Sequence, residues 1–70
     1  MTTQWKNGET PVVSYRNKSG SEIFVLTYKA TSGFFYLYEI SEDGSAKKLG
    51  KSRTPTELEK KFDVEKHMKE

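Results

Sequence analysis

Cysteine is absent, histidine occurs once, and no apolar run approaches the ~20 residues of a membrane-spanning helix. Each gap closes a class of function. Without thiols the chain has no disulfide framework and no thiolate metal or redox site. With His67 as its one imidazole, neither a catalytic triad nor a histidine-rich zinc site is expected, and His67 itself reads as a solvated surface residue. The stretch MTTQWKNGETP has none of the apolar core of a secretory signal, which points to a cytoplasmic protein with no membrane role. The glycines do not follow phosphate-loop spacing, and Glu42 and Asp43 fall in a turn rather than a calcium loop. The expectation is a protein that is not an enzyme, with no metal and no cofactor.

Net charge is also small. A net charge of +2 is too small to name a nucleic-acid partner by itself. Its distribution is uneven, however. Residues 34–46 carry three acids and no base, while KKLGKSR at 47–53 carries four bases and no acid. Such a lysine-rich stretch suits a solvated edge strand, where lysine discourages edge-to-edge pairing, and it also suits phosphate contact.

What the chain does have is concentrated apolar surface. Only 33% of residues are hydrophobic, yet 13% are aromatic, and this clustering argues for a packed domain over disorder. Residues 1–10 are polar around Trp5 and read as a flexible N-terminal arm, leaving 11–70 as a single small domain. Pro11 opens PVVSYR, a short strand. The turn at Asn17–Gly20 leads to SEIFVLTYKA, rich in β-branched and aromatic residues, and Ser32-Gly33 closes a tight hairpin into FFYLYEI. Asp43-Gly44 then turns into a weak, lysine-rich fourth strand around AKKLGKS. Thr54-Pro55-Thr56-Glu57 is a helix start: Thr54 at the cap, Pro55 at the first helical position, Glu57 closing a capping box. Leu58, Phe62, Val64 and Met68 make the apolar arc of the helix that follows. The fold expected is α+β: a four-stranded antiparallel meander followed by one C-terminal helix packed on one face (ββββα).

Alternation assigns the faces. With these turns and no irregularity, Tyr15 opposes Ile23, Val13 opposes Val25, Thr27 opposes Tyr38 and Tyr38 opposes Leu49. One face then collects Val13, Tyr15, Ile23, Val25, Phe34, Tyr36, Tyr38, Ile40 and Leu49. The other collects Phe24, Leu26, Tyr28, Phe35 and Leu37, with Arg16 opposite Glu22 and Glu39 opposite Lys48, pairings that support the register. The helix is expected on the larger apolar face. The second face would then expose a few hundred Å² of apolar surface, which calls for an occupant.

Four occupants suit that face: Trp5 folded back as a plug, a second copy of the chain, a different protein, or single-stranded nucleic acid. Single-strand binders combine aromatic stacking on a sheet with cations for the backbone. Phe24, Tyr28, Phe35 and Leu37 would form the platform, with Arg16, Lys48, Lys51 and Arg53 near phosphates. The function expected is a non-catalytic binding module using this face, with single-stranded nucleic acid as its ligand. The alternative is a protein–protein interaction module (adaptor, inhibitor or homodimerisation domain) with no nucleic-acid role.

The run EDGSAKKLGKSRTPTELEKKF loosely resembles the last hairpin, basic fourth strand and capped helix of positive-cofactor-four-like single-stranded-DNA binders, which act as dimers. The resemblance spans less than a third of the chain and is one of layout. It implies the ββββα order and transfers no residue roles.

Overall fold

A computed structural model describes residues 8–69. Strands β1 (Glu9–Arg16), β2 (Glu22–Lys29), β3 (Phe34–Ile40) and β4 (Ala46–Ser52) form one antiparallel sheet in the order β1-β2-β3-β4. Two helical segments follow, α1 (Pro55–Lys61) and α2 (Val64–Met68). The ββββα arrangement read from the sequence is therefore the fold.

The turns form as their residues dictate. The Asn17 side-chain oxygen accepts the backbone N–H groups of Ser19 and Ser21, both at 3.0 Å, and Gly20 takes φ 86°. Asp43 accepts the Ser45 N–H at 2.9 Å and its hydroxyl at 2.7 Å, and these bonds hold its carboxyl below the usual range.

Local details depart from expectation. β1 begins at Glu9, ahead of Pro11, so part of the stretch read as an arm is sheet. Proline is tolerated there because β1 is an edge strand. The capping box does not form: Thr54 makes no side-chain cap bond, and the Glu57 carboxylate accepts a bond from the Ser52 hydroxyl instead. The helix is also broken. Asp63 adopts left-handed backbone at φ 50°, which stops α1 at Phe62 and lets buried Val64 open α2 in a new direction.

Register differs in two ways, with different consequences. The central hairpin pairs Lys29 with Phe34, so its loop is residues 30–33 rather than Ser32-Gly33 alone. Thr27 consequently opposes Tyr36 and not Tyr38; a two-residue shift leaves every side chain on its face. Three bulges do change faces. Val12, Ile23 and Leu49 are each an extra residue without a partner across the ladder. Beyond them, Tyr15 opposes Phe24, Val13 opposes Leu26, Tyr38 opposes Lys48 and Glu39 opposes Lys47, while Arg16 still opposes Glu22.

The bulges decide where the helices go. They move Tyr15, Ile23 and Leu49 to the side of Phe24, Leu26, Phe35 and Leu37, making that the more apolar face. The core is Tyr15, Phe24, Leu26, Leu37, Leu58 and Val64, with Ile23, Phe35, Leu49, Phe62 and Met68 packed on it. The expected placement of the helix on the Phe34–Tyr36–Tyr38 face is thus overturned. Burying the larger apolar face remains the governing rule; the bulges changed which face that is.

Gly50 of β4 lies against the side chains of Phe62 and Leu58. A Cβ there would lie 3.1 Å from Cζ and 3.2 Å from Cε2 of the Phe62 ring. Gly50→Ala is expected to destabilise by about 1–3 kcal/mol through overpacking. Combining it with Phe62→Leu should cost less than the two losses added. Urea denaturation of the four proteins of that cycle checks this, and strict additivity would show that the ring does not confine position 50.

Candidate functional site

The sheet face opposite the helices is built around alternate residues of β3: Phe34, Tyr36 and Tyr38. β4 supplies cations to them. Lys48 pairs with Tyr38 and Lys51 with Tyr36, and the bulge at Leu49 allows two lysines three residues apart to share one face. The Lys48 ammonium stands 4.4 Å from the Tyr36 ring centroid and 5.8 Å from that of Tyr38. Over Phe34 lie the Lys51 ammonium at 5.0 Å and the Arg53 guanidinium at 5.4 Å. Each is within cation–π range, worth about 0.5–1 kcal/mol at an exposed site.

A carboxylate crosses the same face. The Glu9 side chain is only 4% exposed. Its Oε1 accepts the Thr27 hydroxyl at 2.8 Å and the Tyr38 hydroxyl at 2.6 Å, and its Oε2 lies 3.9 Å from the Lys48 ammonium. One side chain from β1 thereby engages β2, β3 and β4. Burial, then the bond to Glu9 and its negative charge, push the Tyr38 hydroxyl above its ordinary value, so Tyr38 remains a protonated donor. Tyr15 shows the same effect on the helix side, through burial and its 2.6 Å bond to Glu59. Among the described residues no buried side-chain polar atom lacks a partner.

The residues expected to form the binding platform are divided by the sheet. Phe24 is 4% exposed and Leu37 fully buried, both in the core beneath the helices. Phe35 packs on that core, and half-buried Tyr28 stacks against it at 4.8 Å between centroids. These four form no open platform. Arg16 stands apart, donating to the Gly20 carbonyl at 2.8 Å. Lys48, Lys51 and Arg53 do come together, on the opposite face, beside rings that sequence reasoning had placed in the core. Trp5 lies outside the described residues. His67 is exposed, with its ring 5.6 Å from Phe24.

Phe34, Tyr36, Tyr38 and Glu9 are the site residues missed. The first three are plain in FFYLYEI once the faces are known. Glu9 has no sequence signal, since an acid ahead of a proline reads as loop.

Comparison of the chain with protein-family models, with curated proteins and with solved structures gives no match. Among the described residues, no helix is long and apolar enough to cross a membrane. Access to the rings of this face is uneven, because its centre is buried at Val25, Thr27 and Tyr36. Phe34 and Tyr38 are half-buried, Lys51 and Arg53 are exposed, and Tyr36, 9% exposed, lies beneath Lys48.

Proposed function

We propose that this protein is a non-catalytic, cytoplasmic binding module that takes single-stranded nucleic acid on the sheet face opposite its helices. The observation that carries the reading is the row Phe34, Tyr36 and Tyr38 with Lys48, Lys51 and Arg53 within 4.4–5.8 Å of its ring centroids. Bases stack on aromatic side chains with about 1–3 kcal/mol each, and basic side chains beside the rings meet the phosphates. The reading keeps the cations expected from the sequence and exchanges the platform of Phe24, Tyr28, Phe35 and Leu37 for the β3 row.

Titration of a labelled mixed-sequence single-stranded oligonucleotide, followed by anisotropy at several salt concentrations, tests it. Three phosphate contacts give a slope of about −2 in log affinity against log salt. Lys51→Ala and Arg53→Ala should each flatten that slope by about 0.7. Phe34→Ala should weaken binding about fivefold or more at every salt concentration. Absence of binding at low salt sinks the proposal.

One observation favours a protein partner instead. Among the described residues, Val12 and Val13, 51% and 41% exposed, are the large hydrophobics left open to solvent, and both lie on edge strand β1. An edge strand with exposed valines suits pairing with another chain. The bulge at Val12 and the proline beside it work against such pairing, so nucleic acid is placed first.

A further inference from the structure

Phe34 differs from the other two rings of its row. Tyr36 is buried with Val25 and Thr27 at the centre of the face, and the Tyr38 hydroxyl is bonded to Glu9. Phe34 stands half-buried at the corner, where β3 leaves its loop. Three cations gather there. The Lys51 ammonium lies 5.0 Å and the Arg53 guanidinium 5.4 Å from the ring centroid. Lys29 is the cross-strand partner of Phe34 and so emerges on the same face. Among the described residues none of the three forms an ion pair, whereas Lys48, further along the face, has Glu9. Two neighbouring acids are engaged elsewhere. Glu9, opposite Lys29, accepts from Thr27 and Tyr38, and Glu57 accepts from the Ser52 hydroxyl. Like charges held together without a counter-charge repel one another, and an anion settling among them relieves this.

Resting on the nucleic-acid reading above, we propose that this corner seats the terminal nucleotide of a single strand that ends in a phosphate monoester. The base lies on Phe34 and the monoester among Lys29, Lys51 and Arg53. Two features select an end over the middle of a strand. One half-open ring takes one base, and the next ring inward along β3 is buried, so no second base finds a seat beside the first. The charge also matches. An internal nucleotide brings two phosphodiesters, about −2 together. A terminal one brings a diester and a monoester of about −1.5 to −2, close to the three positive charges of the corner. The monoester presents three acceptor oxygens, and the Arg53 fork with two ammonium groups supplies donors for all of them. In the free protein Lys51 and Arg53 lie over the ring. Both are exposed on long stems, so an arriving base displaces them from the ring to the phosphate it carries. This chemistry is common to 5′ and 3′ ends.

Competition against a labelled octamer on the full chain tests the seat. The competitors are oligothymidylate tetramers with a 5′ phosphate, a 3′ phosphate or no terminal phosphate. At least one phosphorylated tetramer should bind about tenfold or more tightly than the bare one, and the end that gains gives the polarity. Lys29→Ala and Arg53→Ala should each cut that preference to about threefold or less. Lys47→Ala, which removes the same charge opposite Glu39 on the other face, should leave it unchanged. Phe34→Leu should weaken all three tetramers about fivefold or more and keep their ratio. Equal affinity of the three tetramers, or a preference that survives both Lys29→Ala and Arg53→Ala, would overturn the seat while leaving nucleic-acid binding in place. Failure of every oligonucleotide to bind, the labelled octamer included, would overturn both.

Discussion

Leu37→Asp should leave the chain unfolded at 25 °C. Leu37 is fully buried, pairs with Leu26 on one side and Gly50 on the other, and lies under the helices. Truncating such a leucine costs about 2–5 kcal/mol, and burying a carboxylate without a partner adds several more. A domain of this size holds about 3–10 kcal/mol in all. Phe34→Asp, on the opposite face beside Lys51 and Arg53, is the control and should stay folded. Far-UV circular dichroism and amide proton dispersion separate the outcomes. A folded Leu37→Asp with native dispersion would mean that the helices lie on the other face, as simple alternation along the strands suggests.

The second large effect is expected at Glu9. Glu9→Ala removes the acceptor of the Thr27 hydroxyl, which is fully buried, and of the Tyr38 hydroxyl. Stranding the Thr27 hydroxyl costs about 1–3 kcal/mol and losing the Tyr38 bond about 0.5–1.5 kcal/mol more, so a loss of roughly 2–4 kcal/mol is expected. Much of this is a penalty on the groups left behind. Tyr38→Phe and Thr27→Val in the Glu9→Ala background should therefore restore part of the stability. Chemical denaturation of the double-mutant cycles would read coupling of about 1 kcal/mol or more per pair. Coupling near zero would show that the carboxylate stabilises neither hydroxyl.

The fold was legible in the sequence because its punctuation is strong. Asn17–Gly20, Asp43-Gly44 and Thr54-Pro55 end or begin elements for local backbone reasons, and the structure keeps all three. The site was legible only in part. Strand alternation gives faces only relative to a register, and nothing in EIFV or KKLGK announces an extra residue. A bulge is recognised by the partner strand it fails to match, which is information at a distance. The cations survived the error because Lys48 and Lys51 flank the bulge, so both emerge on one face. The aromatic platform did not survive it. Once Tyr15, Ile23 and Leu49 changed sides, the balance of apolar area reversed and the helices followed. Asp63 was missed because aspartate visits left-handed backbone only occasionally, and neither glycine nor proline marks the stop there.

The three bulges also say how such a chain can change length in descent. Losing one residue inside a regular stretch, at Leu26 or Leu37 for instance, would turn the rest of that strand over, exchanging core for surface in one step. At positions 12, 23 and 49 the count is already one in excess, so a deletion there restores an unbroken ladder and leaves every neighbour facing as before. Removing Ile23 or Leu49 forfeits one partly buried side chain; removing Val12 forfeits almost nothing. Related chains of unequal length should therefore differ within strands at these three places, as readily as in their loops.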